Sequence, residues 1–258
     1  MRGKCPYSIV PLRLEPSDRS EMVSQLLFGE SYDVIDELKG WLLVKVVHDG
    51  YEGWIDKKQS LPPEFIQGAD DLAKSVHIVA DNFAVAYRNG DISPVTLCRG
   101  SVLPQYRKEK FTLAGQEYRY SGNTVILPEL PQPERIADAA MDYLNAPYLW
   151  GGRTPLGIDC SGFTQMVCRL CGISLKRDAS LQAQQGEMIN FISESKPGDL
   201  AFFENPVGNI IHTGILTGNG KIIHASGSVR IDSIDHNGIF NSDTGKYTHS
   251  LRIIKRMA

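Results

Sequence analysis

Apolar and polar positions alternate in short runs through residues 1–62. Ser8-Ile9-Val10-Pro11-Leu12-Arg13-Leu14 opens the pattern, and Tyr32-Asp33-Val34-Ile35 continues it after Gly29. Trp41 to Val47 is the strongest such run, Asp49-Gly50 is a hairpin turn signal, and Gly53-Trp54-Ile55 closes the segment. Short alternating strands separated by turn residues predict a small β-barrel. Leu61-Pro62-Pro63 breaks the pattern. Residues 63–130 repeat it more loosely, through Val76–Val79, Phe83–Tyr87, Pro94–Leu97 and Thr124–Leu127, which predicts a second small barrel. Pro128, Pro131 and Pro133 read as a stiff linker.

Residues 131–258 change character. Ile136, Ala140, Tyr143 and Leu144 recur at helical spacing between Glu134 and Asn145. A turn-rich stretch from Pro147 to Ile158 leads to Cys160. Phe163, Met166, Val167 and Leu170 then fall on one face of a second helix, with Gly172 suited to its C′ position. Asp178 is placed to cap a third helix running through Met188. Five strand-like runs follow: Leu200–Phe203, Ile210–Leu216, Lys221–Ala225, Val229–Ile231 and Leu251–Ile254. Helices first and antiparallel strands after define an α+β domain.

Charge narrows the function classes. A net charge of -3, with no long Lys/Arg block, argues against nucleic-acid binding. No apolar run is long enough to span a bilayer, and the opening residues carry no secretory signal. Five cysteines form an odd count at low density, unlike a disulfide scaffold. The chain is therefore expected in a reducing, cytoplasmic setting. No metal, cofactor or obligate protein partner is implied.

Cys160 follows a loop containing Gly151, Gly152 and Gly157 and opens a predicted helix. Backbone close to a ligand needs that glycine content, and N–H groups at a helix start favour a thiolate. Cys168 and Cys171 instead fall within the helix and read as packing residues. His212 and His224 each lie in a buried-type strand, on the two arms of a hairpin around Gly218-Asn219-Gly220. Register decides whether they meet. A two-residue Asn-Gly loop would put them on opposite faces. A three-residue loop with Gly220 as a bulge would make them diagonal neighbours, about 7–8 Å apart at Cα. The three-residue loop is expected. Cys160 then attacks an amide carbonyl, His212 is the base, and His224 orients it. The N–H of Cys160 supplies part of an oxyanion hole, with the Tyr148 phenol the candidate second donor.

Taken together, Pro147-Tyr148-Leu149-Trp150-Gly151-Gly152, Asp159-Cys160-Ser161-Gly162-Phe163, His212-Thr213-Gly214-Ile215 and His224 resemble the NlpC-type papain-like cysteine peptidases of bacterial cell-wall metabolism. The resemblance covers residues 134–258 and implies a catalytic Cys160, His212 and His224. Thr213 departs from the commoner valine. Residues 8–55, through Ser20 to Glu30 and Tyr51-Glu52-Gly53-Trp54-Ile55, resemble bacterial SH3-like domains. The expected architecture is α+β, a papain-like cysteine peptidase domain (131–258) preceded by SH3-like barrels at 1–62 and 63–130. That arrangement is similar to γ-D-glutamyl-L-diamino acid endopeptidases that recycle murein peptides. It implies hydrolysis of the γ-D-Glu–L-diamino acid bond in peptides with a free N-terminal L-Ala.

Tyr51, Asp159, Ser161 and Asp178 would then surround the substrate amine, and a buried ammonium does need carboxylates and other acceptors. Glu21 is the expected contribution from the first barrel, with Glu15 and Glu30 as alternatives. Ala179 stands where some relatives carry serine. Arg153 is either a partner for a substrate carboxylate or a loop residue facing water. The alternative functions are a hydrolase of intact peptidoglycan targeted by its SH3-like domains, or a non-catalytic wall-peptide binding protein.

Overall fold

In Ile9–Arg13, Trp41–Val46 and Glu52–Asp56 every second side chain is buried, and these strands assemble one antiparallel sheet. The structure, a computed structural model, describes residues 1–61, 76–90, 93–127 and 130–257. The break at Pro62-Pro63 and Pro128 of the linker lie outside the described residues. The chain divides into two compact units, Met1–Leu127 and Pro128–Ala258. Among the described residues no helix is long and apolar enough to cross a membrane.

The first sheet has six strands, in the order Arg2–Lys4, Ser31–Leu38, Trp41–Val46, Glu52–Asp56, Ile9–Arg13 and Met22–Leu27. Its core is built by Val10, Leu12, Leu26, Tyr32, Leu42, Val44, Val46 and Ile55. Residues 76–127 form two smaller sheets. One has three strands around His77–Val79, and the other four, Lys110–Leu113, Gln116–Arg119, Phe83–Arg88 and Pro94–Cys98. Their shared core includes Phe28, whose ring meets Phe111 and Tyr118 edge-on at 5.7 and 5.9 Å. At Gly29, φ is +77° and an added Cβ would lie 2.1 Å from the Val102 carbonyl oxygen. Val102 N–H in turn donates to Phe28 C=O at 2.7 Å. The region after residue 76 is thus a two-sheet β lobe whose core borrows Phe28. The expectation of a second SH3-like barrel carries no further than that.

In the C-terminal unit sheet outweighs helix. Seven antiparallel strands run in the order Glu187–Ile189, Lys246–Arg256, Leu200–Glu204, Ile210–Gly218, Lys221–Ser226, Ser228–Asp235 and Gly238–Asn241. The last also pairs back onto Lys246–Arg256. Helices α1 (Ile136–Met141), α2 (Cys160–Leu170) and α3 (Ala179–Gln182) accompany this sheet. α2 is buried almost throughout and ends as expected, in a Schellman motif. Gly172 has φ +77°, its N–H reaches Arg169 C=O at 3.0 Å, and Ile173 N–H reaches Cys168 C=O at 2.9 Å. Two expectations need correction. α1 is six residues long and does not reach Asn145, which sits at positive φ. α3 stops at Gln182 instead of Met188. Gly186 turns the chain with φ +71°, and Glu187–Ile189 then pairs with Lys246–Arg256, so sheet pairing takes the residues that the helical pattern claimed.

Candidate active site

Asp159 caps α2 in extended conformation and places Cys160 at its first residue. Gly162 N–H donates to Asp159 Oδ1 at 2.6 Å, and Gly151 N–H donates to Oδ2 at 2.8 Å. The preceding loop lies directly on the helix start. A Cβ at Gly162 would fall 2.3 Å from Gly152 O, and one at Gly152 would fall 2.4 Å from Gly157 O. The glycines therefore let backbone approach backbone at these positions.

Asp159 is not an open carboxylate. Arg177, itself buried, forks onto it, Nη1 to Oδ1 at 3.0 Å and Nη2 to Oδ2 at 2.6 Å. Nη1 also donates to Ser161 Oγ at 2.8 Å. Sequence reasoning missed Arg177, because its partner Asp159 lies on another element and no local spacing announces the pair. Arg153 does not face water either. It is buried, and its Nε donates to Gln165 Oε1 at 3.0 Å. Asp178 is half-buried at the start of α3, without a side-chain hydrogen bond to that helix. In the N-terminal unit, Tyr51 packs on the first barrel's core and Glu21 is exposed just before Met22–Leu27. Glu30 is buried and accepts from Leu27 N–H at 2.9 Å, so it serves its own turn.

The two histidines meet, but not by the loop that was expected. The loop has two residues, Asn219 and Gly220, both with positive φ (53° and 66°), the signature of a type I′ turn. Alone, that turn would put the rings on opposite faces. A bulge corrects it. Gly218 pairs with Lys221 but Leu216 pairs with Ile222, leaving Thr217 extra in one arm. From there Gly214 faces His224, and His212 becomes its same-face diagonal neighbour. His212 Nε2 lies 2.8 Å from His224 Nδ1, with the rings nearly perpendicular at 86°. Since Nε2 is used, the nitrogen left to receive a thiol proton is Nδ1. The backbone N–H of Thr213, the next residue, donates to the Cys160 sulfur, so the thiol lies against the His212 strand.

Two further residues complete the cluster. Asp232 Oδ2 lies 3.0 Å from His224 Nε2. His249 stacks on His212 with centroids 4.1 Å apart and 26° between planes. Asp232 was within reach of sequence reasoning. The tight Ser226-Gly227-Ser228 turn pairs His224 with Arg230, which sets Asp232 on the diagonal. His249 was not, because it comes from a strand paired across the whole unit.

Electrostatics corrects the thiolate expectation. Burial, and then the Asp159 charge, push the Cys160 thiol up to about 12, outweighing the N–H groups of Thr213 and Ser161 and the Arg177 cation. Burial first, and then His249 and His224, hold His212 well below the usual imidazole range. Burial thus favours a neutral thiol and a neutral imidazole. Burial also raises the Tyr148 phenol to about 12, with Cys160 and Asp159 adding to the shift, so it stays an O–H donor. Among the described residues no group of three or more His, Cys, Asp or Glu side chains could hold a metal ion.

A buried cysteine at a helix start beside histidines on an antiparallel sheet defines a papain-like cysteine peptidase. Comparison with known proteins places it further. Residues 145–247 match the NlpC/P60 family, and residues 12–59 match the bacterial dipeptidyl-peptidase Sh3 domain. One relative is the gamma-D-glutamyl-L-lysine dipeptidyl-peptidase of Bacillus subtilis, 32% identical over 78% of this chain and 71% of its own length. Another is dipeptidyl-peptidase 6 of Lysinibacillus sphaericus, 28% identical over 87% of this chain and 88% of its own. A solved NlpC/P60 family protein from Bacillus cereus superposes with a TM-score of 0.84 over 99% of both chains, at 21% identity. The chain belongs to the NlpC/P60 family of cysteine peptidases.

Proposed function

We propose that this enzyme hydrolyses the γ-D-Glu–L-diamino acid bond of murein peptides that carry a free N-terminal L-Ala, and that it acts in the bacterial cytoplasm on peptides released from the wall. The observation that carries the substrate class is the relative from Bacillus subtilis, whose name specifies a γ-D-glutamyl-L-lysine dipeptidyl-peptidase. The arrangement of Cys160, His212 and His224 supports the chemistry. Cys160 Sγ attacks the amide carbonyl carbon while its proton passes to His212 Nδ1. The Cys160 N–H and the Tyr148 O–H stabilise the oxyanion. Collapse to the thioester expels the amine, which takes the proton from His212. Water activated by the same imidazole then releases the acid and restores the thiol. Because Arg177 already neutralises Asp159, the negative charge for the substrate ammonium is assigned to Asp178, with Ser161 and the Asp159–Arg177 pair shaping the site.

The test is mass-spectrometric analysis of five substrates: L-Ala-γ-D-Glu-L-Lys, its meso-diaminopimelate counterpart, the N-acetylated forms of both, and purified sacculi. Cleavage of the free-amine peptides alone supports the proposal. Cleavage of sacculi would replace it with a wall hydrolase, and no cleavage by an intact protein would replace it with a binding protein. Cys160→Ala should reduce turnover to background while leaving the thermal transition in place. Asp178→Asn should raise KM for the free-amine peptides more than it lowers kcat.

A further inference from the structure

The hydrogen-bonded line His212–His224 has two possible polarities, and only one leaves a base for the thiol. We propose that Asp232, held by Arg230, is the positioning residue that selects that polarity; the proposal rests on the reading of Cys160, His212 and His224 as the catalytic set.

Asp232 is buried on Ser228–Asp235, and its Oδ2 lies 3.0 Å from His224 Nε2. An ionised carboxylate can only accept. His224 must therefore carry its proton on Nε2, which leaves Nδ1 an acceptor. At 2.8 Å from that acceptor, His212 Nε2 must be the donor. The lone pair of His212 then resides on Nδ1, where a thiol proton can be taken. In the reverse pattern, His224 Nδ1–H would donate to His212 Nε2. His224 Nε2 would then set a lone pair against a carboxylate 3.0 Å away, two acceptors with no proton between them. His212 would carry its proton on Nδ1 and could not act as base. Burial keeps both rings neutral, so the tautomer is the variable left to decide.

Arg230 fixes the carboxylate. Its Nη2 donates to Asp232 Oδ1 at 2.9 Å and to Asp243 Oδ2 at 2.7 Å. Oδ1 thus takes the aligned Nη2–H, while Oδ2 faces the imidazole and lies 2.9 Å from Arg230 Nε without an aligned hydrogen bond to it. This division makes the isosteric Asp232→Asn variant informative. An amide cannot turn its NH2 toward the aligned Nη2 donor, so its oxygen stays on Nη2 and its NH2 faces His224 Nε2, on the side where Arg230 Nε makes no aligned hydrogen bond. That forces His224 Nδ1–H and, through it, His212 Nδ1–H. It is the same logic by which the acid of a Ser-His-Asp triad holds its imidazole in the useful tautomer.

The experiment uses the full chain with 15N-labelled histidine, at neutral pH and without peptide. Wild type should show Nε2–H tautomers at both His212 and His224. Asp232→Asn should convert both to Nδ1–H and slow iodoacetamide alkylation of Cys160, mapped by mass spectrometry, about 100-fold, the low end of what a positioned base supplies. Adding Arg230→Ala to Asp232→Asn frees the amide to turn, and should restore at least about tenfold of that loss. Asp232→Ala removes the acceptor without adding a donor, and should give mixed tautomers. Wild-type tautomers or a wild-type alkylation rate in either single variant would overturn the proposal, and two variants guard against one failing to fold. On cleavable peptides the loss should fall on kcat with KM unchanged. If the tautomers shift as stated while wild type cleaves no murein peptide, the relay stands and the substrate reading fails.

Discussion

Removing the Arg177 guanidinium should be among the most destabilising single changes in the C-terminal unit. In Arg177→Met the Asp159 carboxylate keeps the N–H groups of Gly162 and Gly151 but loses both guanidinium contacts, at 3.0 and 2.6 Å, in a site closed to water. Breaking a buried pair by deleting one partner costs about 3–5 kcal/mol, mostly because the other charge remains buried and uncompensated. A shift of about 2–4 °C per kcal/mol for a domain of this size class gives a fall of about 6–20 °C in Tm. The C-terminal unit can be followed separately by calorimetry combined with the reactivity of Cys168, which is fully buried until α2 is released. The double variant Asp159→Asn/Arg177→Met should recover about half or more of the loss, because no charge is then stranded. A loss below about 1 kcal/mol in Arg177→Met, or strict additivity in the double variant, would refute the reasoning and class the pair with weak surface bridges.

Other consequences can be measured directly. Gly162→Ala drives a methyl to 2.3 Å from Gly152 O, so the loop and the start of α2 must part; a loss of about 1–3 kcal/mol and slower Cys160 alkylation are expected, and a neutral result by chemical denaturation would contradict the close packing. Phe28→Ala empties the shared core of the β lobe and should cost the N-terminal unit about 3–5 kcal/mol in urea unfolding; a cost under about 1 kcal/mol would mean that the lobe's core does not depend on this ring. The acid limb of kcat/KM should lie below the ordinary imidazole range. Burial lowers His212, His224 and His249, the last to about 4, and a depressed base stays neutral and active as pH falls. An acid limb at or above about pH 6.5 would show that the burial argument fails.

Much of the candidate site was legible because its signals are local. A helix start at Cys160 and its stop at Gly172 depend on residues within a turn of each end, and both took the expected place. The face carrying Phe163, Met166 and Val167 is buried, as helical spacing demanded. Misreadings arose where distant chain competed with local preference. The helical pattern beyond Gln182 yielded to pairing with Lys246–Arg256. Of the two readings open for Arg153, the water-facing one fails, and Arg177 was not singled out at all, because each has a buried polar partner that spacing does not announce. The hairpin is the most instructive case. Its turn residues were read one position wrong, and the conclusion about the histidines survived only because a bulge at Thr217 offset the error.

The sequence by itself determined the helix that Cys160 opens, the hairpin that carries the two histidines and the small β-barrel at the N-terminus, because periodicity, caps and turn chemistry are encoded by neighbouring residues. Tertiary structure alone decided which partners those groups acquire. Arg177 neutralises Asp159, Asp232 closes on His224, and His249 stacks on His212, each delivered by packing or by strand pairing. It also decided the protonation of the thiol and imidazole, since the desolvation that sets them is a property of the assembled site and of no residue in isolation.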